Sequence, residues 1–186
     1  ADIDPKNLAE TLTNVLDGQY TKDERIFLEA RSTNDRSNIA LNEIVVHSGA
    51  VAKLMEYTLE IDKKFVYRQK ADGIIICTPT GSTAYSLSGG GPIIHPQVNT
   101  ILLLPMLPHS LSARPLIVSD NSKIEIRLEG RTKKANVNFD GQESFIINKE
   151  ASLKINKSKQ VLNLAHPVSH DFYSASRNKL GWSAET

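Results

Sequence analysis

From Tyr20 onward the chain consists mostly of short segments rich in apolar residues with polar turns between them, which predicts short β-strands. Residues 123–129 are typical, because Ile124, Ile126 and Leu128 are separated by polar side chains. Residues 73–77 form a continuous apolar run instead, which indicates a buried strand. About eleven such segments with turns between them predict a mainly β fold, a sandwich or barrel.

The two ends of the chain depart from this pattern. An Asp-Pro pair precedes apolar residues at helical spacing and Gly18 follows them, which predicts an amphipathic helix over residues 5–17. Residues 166–186 are polar with scattered aromatic anchors, and exposed aromatic residues of this kind predict a docking tail. The apolar residues of the first helix are Leu8, Leu12, Val15 and Leu16.

Composition narrows the class of protein. With 186 residues, a hydrophobic fraction of 40% and a charged fraction of 23%, the chain suits an ordinary folded domain. A net charge of +1 gives no electrostatic case for binding nucleic acid or an anionic membrane. Cys77 is the only cysteine, which favours a reducing compartment and therefore the cytoplasm. The five histidines show no metal-ligand spacing, so no structural metal is expected.

The most unusual stretch is residues 78–92, T-P-T-G-S-T-A-Y-S-L-S-G-G-G-P, directly after the buried run. Four hydroxyl side chains and a predicted short helix, with Ser82 or Thr83 as its cap, would bring backbone N–H groups and small side chains together. A phosphate or a planar ligand could approach such a loop closely, although turn-forming residues alone could explain it. No lysine follows Gly81, so the loop is not a P-loop.

Polar residues in two other apolar segments are candidate binding groups. Asn42 and Glu43 interrupt a strand predicted over residues 39–47, where they either face a ligand or mark a strand end at the solvent. Asp72 precedes the buried run, and its carboxylate beside the hydroxyl-rich turn could accept hydrogen bonds from a ligand, unless it only forms a turn. Lys70 belongs to a basic cluster that is either a solvated face or a neighbour of diphosphates.

Asp140-Gly141 predicts a hairpin turn with a structural role.

These motifs together resemble bacterial NAD kinase over essentially the whole chain. The matching segments are Asn42-Glu43, Asp72-Gly73, T-P-T-G-S-T-A-Y at 78–85, G-G-P at 90–92, S-A-R-P at 112–115, the opening D-I-D-P and the closing K-L-G-W. The resemblance implies phosphorylation of the adenosine ribose 2′-hydroxyl of NAD by ATP with a divalent metal such as Mg²⁺, giving NADP. It also implies a homo-oligomer, a dimer or tetramer.

The resemblance implies a role for each matching position. Asn42 and Glu43 would hold the ribose and diphosphate side of NAD, and Asp72 would meet the nicotinamide end of NAD bound mainly by an adjacent subunit. The adenine and its neighbouring groups would contact the central loop. The loop residues assigned to NAD binding are Thr80, Thr83, Ala84, Tyr85 and Ser88, and Lys70 is assigned to NAD binding as well.

One family motif is missing from the chain. No G-G-D-G occurs, although its aspartate is the base proposed for this family. We therefore expect residues 1–19 to lead from an absent N-terminal α/β domain, residues 20–165 to form the NAD-binding sandwich, and residues 166–186 to dock on the absent domain. These 186 residues alone should be inactive. The alternatives are an inert dinucleotide-binding or oligomerisation module and a lipid kinase-type domain.

Overall fold

The computed structural model describes Ile3, residues 5–49 and residues 53–181. These residues fall into two compact units. One unit contains the described residues up to Arg25 and from Leu162 onward, and the other contains Ile26–Val161. All of the candidate site residues belong to the second unit.

The described residues form twelve strands in two six-stranded antiparallel sheets, so the prediction of a mainly β sandwich is confirmed. The strands are β1 (Tyr20–Ser32), β2 (Ser37–Ala40), β3 (Glu43–His47), β4 (Met55–Ile61), β5 (Lys64–Ala71), β6 (Gly73–Cys77), β7 (Thr100–Met106), β8 (Leu116–Ser119), β9 (Ile124–Leu128), β10 (Lys134–Phe139), β11 (Glu143–Asn148) and β12 (Ser152–Pro167). The first sheet has the order β2-β1-β12-β9-β4-β5, and the second has the order β11-β10-β3-β6-β7-β8.

Two apolar clusters cover the two faces of the second sheet. The larger one is the sandwich core, in which the alternating residues of β9 are buried as predicted and those of β4 are buried in the same way. The smaller one lies on the other face of β6, where Ile75 and Cys77 pack with Ile94 and Leu102. Because both of its faces are covered, all five residues of β6 are buried, and this explains its continuous apolar sequence.

The boundaries of the predicted strands were wrong in two places. Residues 39–47 form two strands rather than one, because β2 belongs to the first sheet and β3 to the second. The chain changes sheets at residues 41 and 42. The sequence also predicts separate strands over residues 151–156 and 161–165, but residues 152–167 form one long strand, β12, because the polar residues between them continue in extended conformation.

The helix predicted at the start of the chain is present, whereas the helix near the end of the chain was not predicted. A 3₁₀ turn at Pro5–Asn7 leads into α1 (Leu8–Leu16), which is followed by Gly18 at φ +85°. The tail contains an unpredicted helix, α3 (Phe172–Leu180), whose N-cap Asp171 accepts hydrogen bonds from two backbone N–H groups. Within the described residues, no helix has the length and apolarity needed to cross a membrane. The predicted cap Asp4 and the anchor Trp182 lie outside these residues.

Candidate functional site

The Asn42-Glu43 pair lies where the chain passes from β2 to β3, and the Asp140 carboxylate holds its backbone. One Asp140 oxygen accepts a hydrogen bond from the Leu41 N–H at 2.7 Å. The other oxygen accepts from the N–H groups of Asn42 at 2.8 Å and Glu43 at 3.0 Å. Asp140 therefore does more than the turn formation that its sequence predicted.

Thr78 holds the carbonyl groups of the same segment. Its hydroxyl donates to the Leu41 carbonyl oxygen at 2.6 Å and accepts from the Gly81 N–H at 3.1 Å. Its own N–H donates to the Asn42 carbonyl oxygen at 2.9 Å. The first residue of the T-P-T-G-S-T-A-Y motif thus fixes the motif directly beside Asn42.

Gly81 allows this close approach of the two segments. A Cβ atom at Gly81 would lie 2.1 Å from the Asn42 carbonyl oxygen and 2.8 Å from the Asn42 Cα. Both contacts are far shorter than packing allows, and both involve backbone atoms. The motif therefore requires glycine here because backbone lies against backbone.

The rest of the motif forms two short helical pieces. A 3₁₀ turn covers Thr80–Thr83, and α2 covers Tyr85–Ser88. The prediction that Ser82 or Thr83 caps the helix was wrong, because α2 begins after Ala84 and receives no side-chain cap. The buried Ser82 hydroxyl instead donates to the Pro79 carbonyl oxygen at 2.6 Å and accepts from the Ile94 N–H at 3.0 Å.

Glu43 carries a buried carboxyl group within the site. It is 7% exposed, and its Oε2 has no hydrogen-bond partner among the described residues. Burial raises the pKa of Glu43 above its ordinary value, and the nearby Asp140 charge raises the pKa further. A hydrogen bond from the Tyr85 backbone opposes this rise. An unpaired buried acceptor of this kind is suited to a ligand hydroxyl or amide.

The side chains around Glu43 differ in how far they are exposed to solvent. Asn42, Thr83 and Ala84 are half-buried, whereas Ser88 is exposed and Tyr85 retains 48% of its surface. A donor and acceptor pair beside an aromatic ring can bind a sugar diol and a planar base. The predicted residues Asn42, Glu43, Thr80, Thr83, Ala84, Tyr85 and Ser88 thus belong to two adjoining segments.

Asp72 directly precedes β6, at the end of that strand opposite the T-P-T-G-S-T-A-Y motif, and Lys70 lies in β5 of the other sheet. Glu43 pairs with Cys77 across β3 and β6, whereas His47 pairs with Gly73. Asp72 therefore stands about 20 Å from the start of the T-P-T-G-S-T-A-Y turn, given the rise per residue of an extended strand. The expectation that Asp72 lies beside the hydroxyl-rich turn was wrong, because the whole of β6 separates them. Lys70 Nζ lies 3.9 Å from the Glu56 carboxylate.

A cavity of about 650 Å³ lies away from the Asn42-Glu43 pair. It is formed by the turns that follow β9 and β11, near the start of β10. Three basic residues and one acidic residue contribute to its lining, which is Gly130, Arg131, Lys133, Asn148, Lys149 and Glu150. None of these residues was a predicted site residue.

Metal-ligating side chains are not clustered within the part of the chain that the structure describes. No group of three or more His, Cys, Asp or Glu residues there is placed to hold a metal ion. Cys77 is buried, and burial raises the pKa of its thiol to about 11. A thiol with this pKa is protonated near neutral pH and is a poor nucleophile.

The model of the ATP-NAD kinase C-terminal domain matches residues 41–166. The chain belongs to the ATP-NAD kinase family. The matched range includes the Asn42-Glu43 pair, the T-P-T-G-S-T-A-Y motif and Asp140. The resemblance inferred from the sequence motifs is therefore confirmed.

Curated relatives and solved structures agree with this family. The chain is 42% identical to an NAD kinase of Teredinibacter turnerae over 100% of its length and 65% of that protein. It is 43% identical to an NAD kinase of Yersinia pestis, of which it covers 64%. The chain thus spans a little under two thirds of the length of these relatives.

Among solved structures, yeast NADH kinase complexed with NADH superposes with a TM-score of 0.85 and 26% identity. The superposition covers 97% of this chain and 56% of the yeast chain. An NAD kinase from Archaeoglobus fulgidus in complex with ATP gives a TM-score of 0.77 and 29% identity, over 95% of this chain and 66% of the archaeal one.

Two residues of the site, Asp140 and Thr78, carry roles that the sequence did not reveal. Asp140 is 98 positions from Asn42 in the chain, so only the pairing of β10 with β3 brings them together. Thr78 was noted as one of four hydroxyls, and nothing in the sequence distinguishes it from the other three. The sequence of a hairpin turn does not indicate which distant backbone groups its carboxylate will contact.

Proposed function

We propose that this chain supplies the NAD-binding surface of an NAD kinase, an enzyme that phosphorylates the adenosine ribose 2′-hydroxyl of NAD with ATP. The observation that carries the proposal is the joining of the Asn42-Glu43 pair to the T-P-T-G-S-T-A-Y motif. The Thr78 hydrogen bonds and the Gly81 contact build this junction. Relatives named NAD kinase, and neighbours solved with NADH and with ATP, support the same reaction.

The side chains suggest how NAD would be oriented. Asn42 can donate and Glu43 can accept, which matches the two hydroxyls of a ribose and the diphosphate beside it. Tyr85, with Thr83 and Ala84 before it, offers a ring and small side chains to the adenine. The exposed Ser88 and the half-buried Thr80 border this surface.

Asp72 is assigned to the nicotinamide end of a second NAD molecule, and Lys70 is assigned to NAD binding as a neighbour of the diphosphate. A separation of about 20 Å from the adenine side supports a separate contact. In this proposal the protein is a homo-oligomer, a dimer or tetramer, and Asp72 contacts NAD bound mainly by an adjacent subunit. The measured mass of the protein in solution tests this part, and a monomer would contradict it.

In this phosphoryl transfer the residues of the chain need to position the ribose hydroxyl, and they form no covalent bond to the substrates. The ribose 2′-oxygen forms a bond to the γ-phosphorus of ATP, the bond to the bridging oxygen breaks, and ADP leaves. Mg²⁺ enters with ATP as part of the substrate and neutralises phosphate charge. The residues of this chain bind and orient the ribose, and a general base takes the hydroxyl proton.

We also assign the protein to the cytoplasm, where NAD and ATP are available and a lone reduced cysteine is stable.

The proposal is tested by incubating the complete protein that contains this chain with NAD and Mg-ATP and measuring NADP. We expect NADP to form with ADP in equal amounts. Calorimetry with NAD and with a sphingoid base distinguishes the alternatives. Binding of NAD without NADP formation would favour an inert dinucleotide-binding module. Binding of the lipid without NAD would favour a lipid kinase-type domain. Either result would contradict the proposed function.

A further inference from the structure

Backbone N–H groups at residues 41–43 need partners that the two sheets do not supply. The chain leaves the first sheet after Ala40, and its pairing with β10 begins only at Ile44. A backbone N–H that is shielded from water and unpaired destabilises the folded state. The Asp140 carboxylate occupies this gap and accepts from all three N–H groups at 2.7–3.0 Å.

The turn that carries Asp140 is itself fixed to the same segment. Phe139 pairs with Ile44, and the Asp140 N–H donates to the Glu43 carbonyl oxygen at 3.1 Å. Asp140 has φ +49° and Gly141 has φ +69°, so the hairpin turns tightly directly after β10. This geometry returns the carboxylate towards the N–H groups rather than to the solvent.

We propose that Asp140 is a positioning residue of the NAD site, and that its carboxylate holds the backbone of residues 41–43 so that the Asn42 and Glu43 side chains meet the dinucleotide. This inference rests on the proposed function. Thr78 holds the carbonyls of the segment and Asp140 holds its N–H groups, so the backbone is fixed from two sides. Only the two side chains are left to interact with a ligand.

The chain offers a matched control for this role. Asp62 also has positive φ, +51°, and its carboxylate accepts a backbone N–H from Lys123 at 2.9 Å. It lies in the turn between β4 and β5, in the sheet that does not contain Asn42-Glu43. Asp62→Asn therefore makes the same chemical change in a similar turn without touching the residues of the site.

Two substitutions separate geometry from charge. Asp140→Asn tolerates positive φ and keeps one acceptor oxygen, but its amide nitrogen would face a backbone N–H. Asp140→Glu keeps the charge and both oxygens but moves them by one methylene group. If position matters, both variants lose function. If charge alone matters, Asp140→Glu retains function, which would overturn the proposal.

The experiment uses the complete protein at a temperature at which each variant is folded, as checked by a thermal melt. We expect the Kd and KM for NAD to rise about tenfold or more in both Asp140 variants. The KM for ATP should stay within about twofold, and Asp62→Asn should resemble the wild type. A loss that came only from unfolding would lower the apparent kcat without raising the KM for NAD, and this would overturn the proposal.

The outcomes also separate this inference from the proposed function. If the wild-type protein neither binds NAD nor forms NADP, the proposed function fails and the inference fails with it. If the wild type forms NADP and the Asp140 variants keep the wild-type Kd and KM for NAD, only the positioning role is wrong. Should Asp140→Asn not fold, Asp140→Glu is tested by the same criteria.

Discussion

Replacing Gly81 with alanine tests the junction on which the site depends. The new Cβ atom would lie 2.1 Å from the Asn42 carbonyl oxygen and 2.5 Å from its carbonyl carbon. Both neighbours belong to the backbone, so no side-chain rotation relieves the clash. The motif must move away from Asn42 by about 1 Å or more to reach an ordinary contact distance.

The expected cost follows from this displacement. Overpacking costs about 1–3 kcal/mol, and the shift also lengthens the hydrogen bonds of the buried Thr78, each worth about 1 kcal/mol. Alanine also reduces the conformational entropy of the unfolded chain, and this offsets about 0.4–1 kcal/mol of the loss in stability. We therefore expect a net loss of about 3 kcal/mol in the free energy of unfolding. For a protein of this size the loss corresponds to a fall in Tm of about 6–12 °C.

Thermal unfolding of wild type, Gly81→Ala and Gly90→Ala measures the effect. Gly90 is the control because a Cβ there meets nothing within 4 Å, although its φ is +82°. Gly90→Ala should therefore show only backbone strain, about 1–2 kcal/mol. NAD affinity of Gly81→Ala should also fall about tenfold at a temperature at which it is folded. A Tm for Gly81→Ala equal to that of wild type or of Gly90→Ala would refute the reasoning.

Two further predictions concern buried polar groups of the site. Burial holds the pKa of Glu43 above 4.5, so the ionised form destabilises the folded state, and this destabilisation grows as pH rises from 4.5 through the raised pKa. Glu43→Gln should therefore raise Tm at pH 8 more than at pH 4 while weakening NAD binding, and a pH-independent gain would contradict this. Thr78→Val leaves the Leu41 carbonyl and the Gly81 N–H without their partner. Urea unfolding should show a loss of about 2–4 kcal/mol, and a loss below about 1 kcal/mol would contradict the role of this hydroxyl.

The sequence predicted the parts of the fold that depend on local pattern. The apolar run of β6 indicated a buried strand, and its coverage on both faces explains why no polar residue interrupts it. The alternation in β9 predicted which of its residues are buried. Both features follow from the period of side chains along a strand and need no knowledge of distant residues.

Contacts between distant residues could not be predicted in the same way. The change of sheets at residues 41 and 42 depends on which strands pair, and only the polar pair Asn42-Glu43 interrupts the apolar pattern there. The hydrogen bonds from the backbone of residues 41–43 to the Asp140 carboxylate depend on the same strand pairing. Asp72 was expected beside the turn because the two are neighbours in sequence, but an extended strand carries its ends far apart.

The unpredicted helix α3 has a different cause. Its sequence is polar and its apolar positions form no strong stripe, so periodicity did not reveal it. Its two ends did carry signals, since Asp171 caps the first turn and Gly181 has φ +68° after the last one. Capping residues can therefore mark a helix where hydrophobic spacing does not.

A calorimetric titration of NAD into the complete protein, compared with its Asn42→Ala variant, tests the central claim most directly. Asn34→Ala is the control, because Asn34 is exposed in the turn between β1 and β2. We expect the wild type and the control to bind NAD with equal affinity. The Asn42 variant should bind about 10–100-fold more weakly, as the loss of a hydrogen-bond partner worth about 1–3 kcal/mol predicts. Equal affinity for all three proteins would contradict the assignment of the NAD site to this junction.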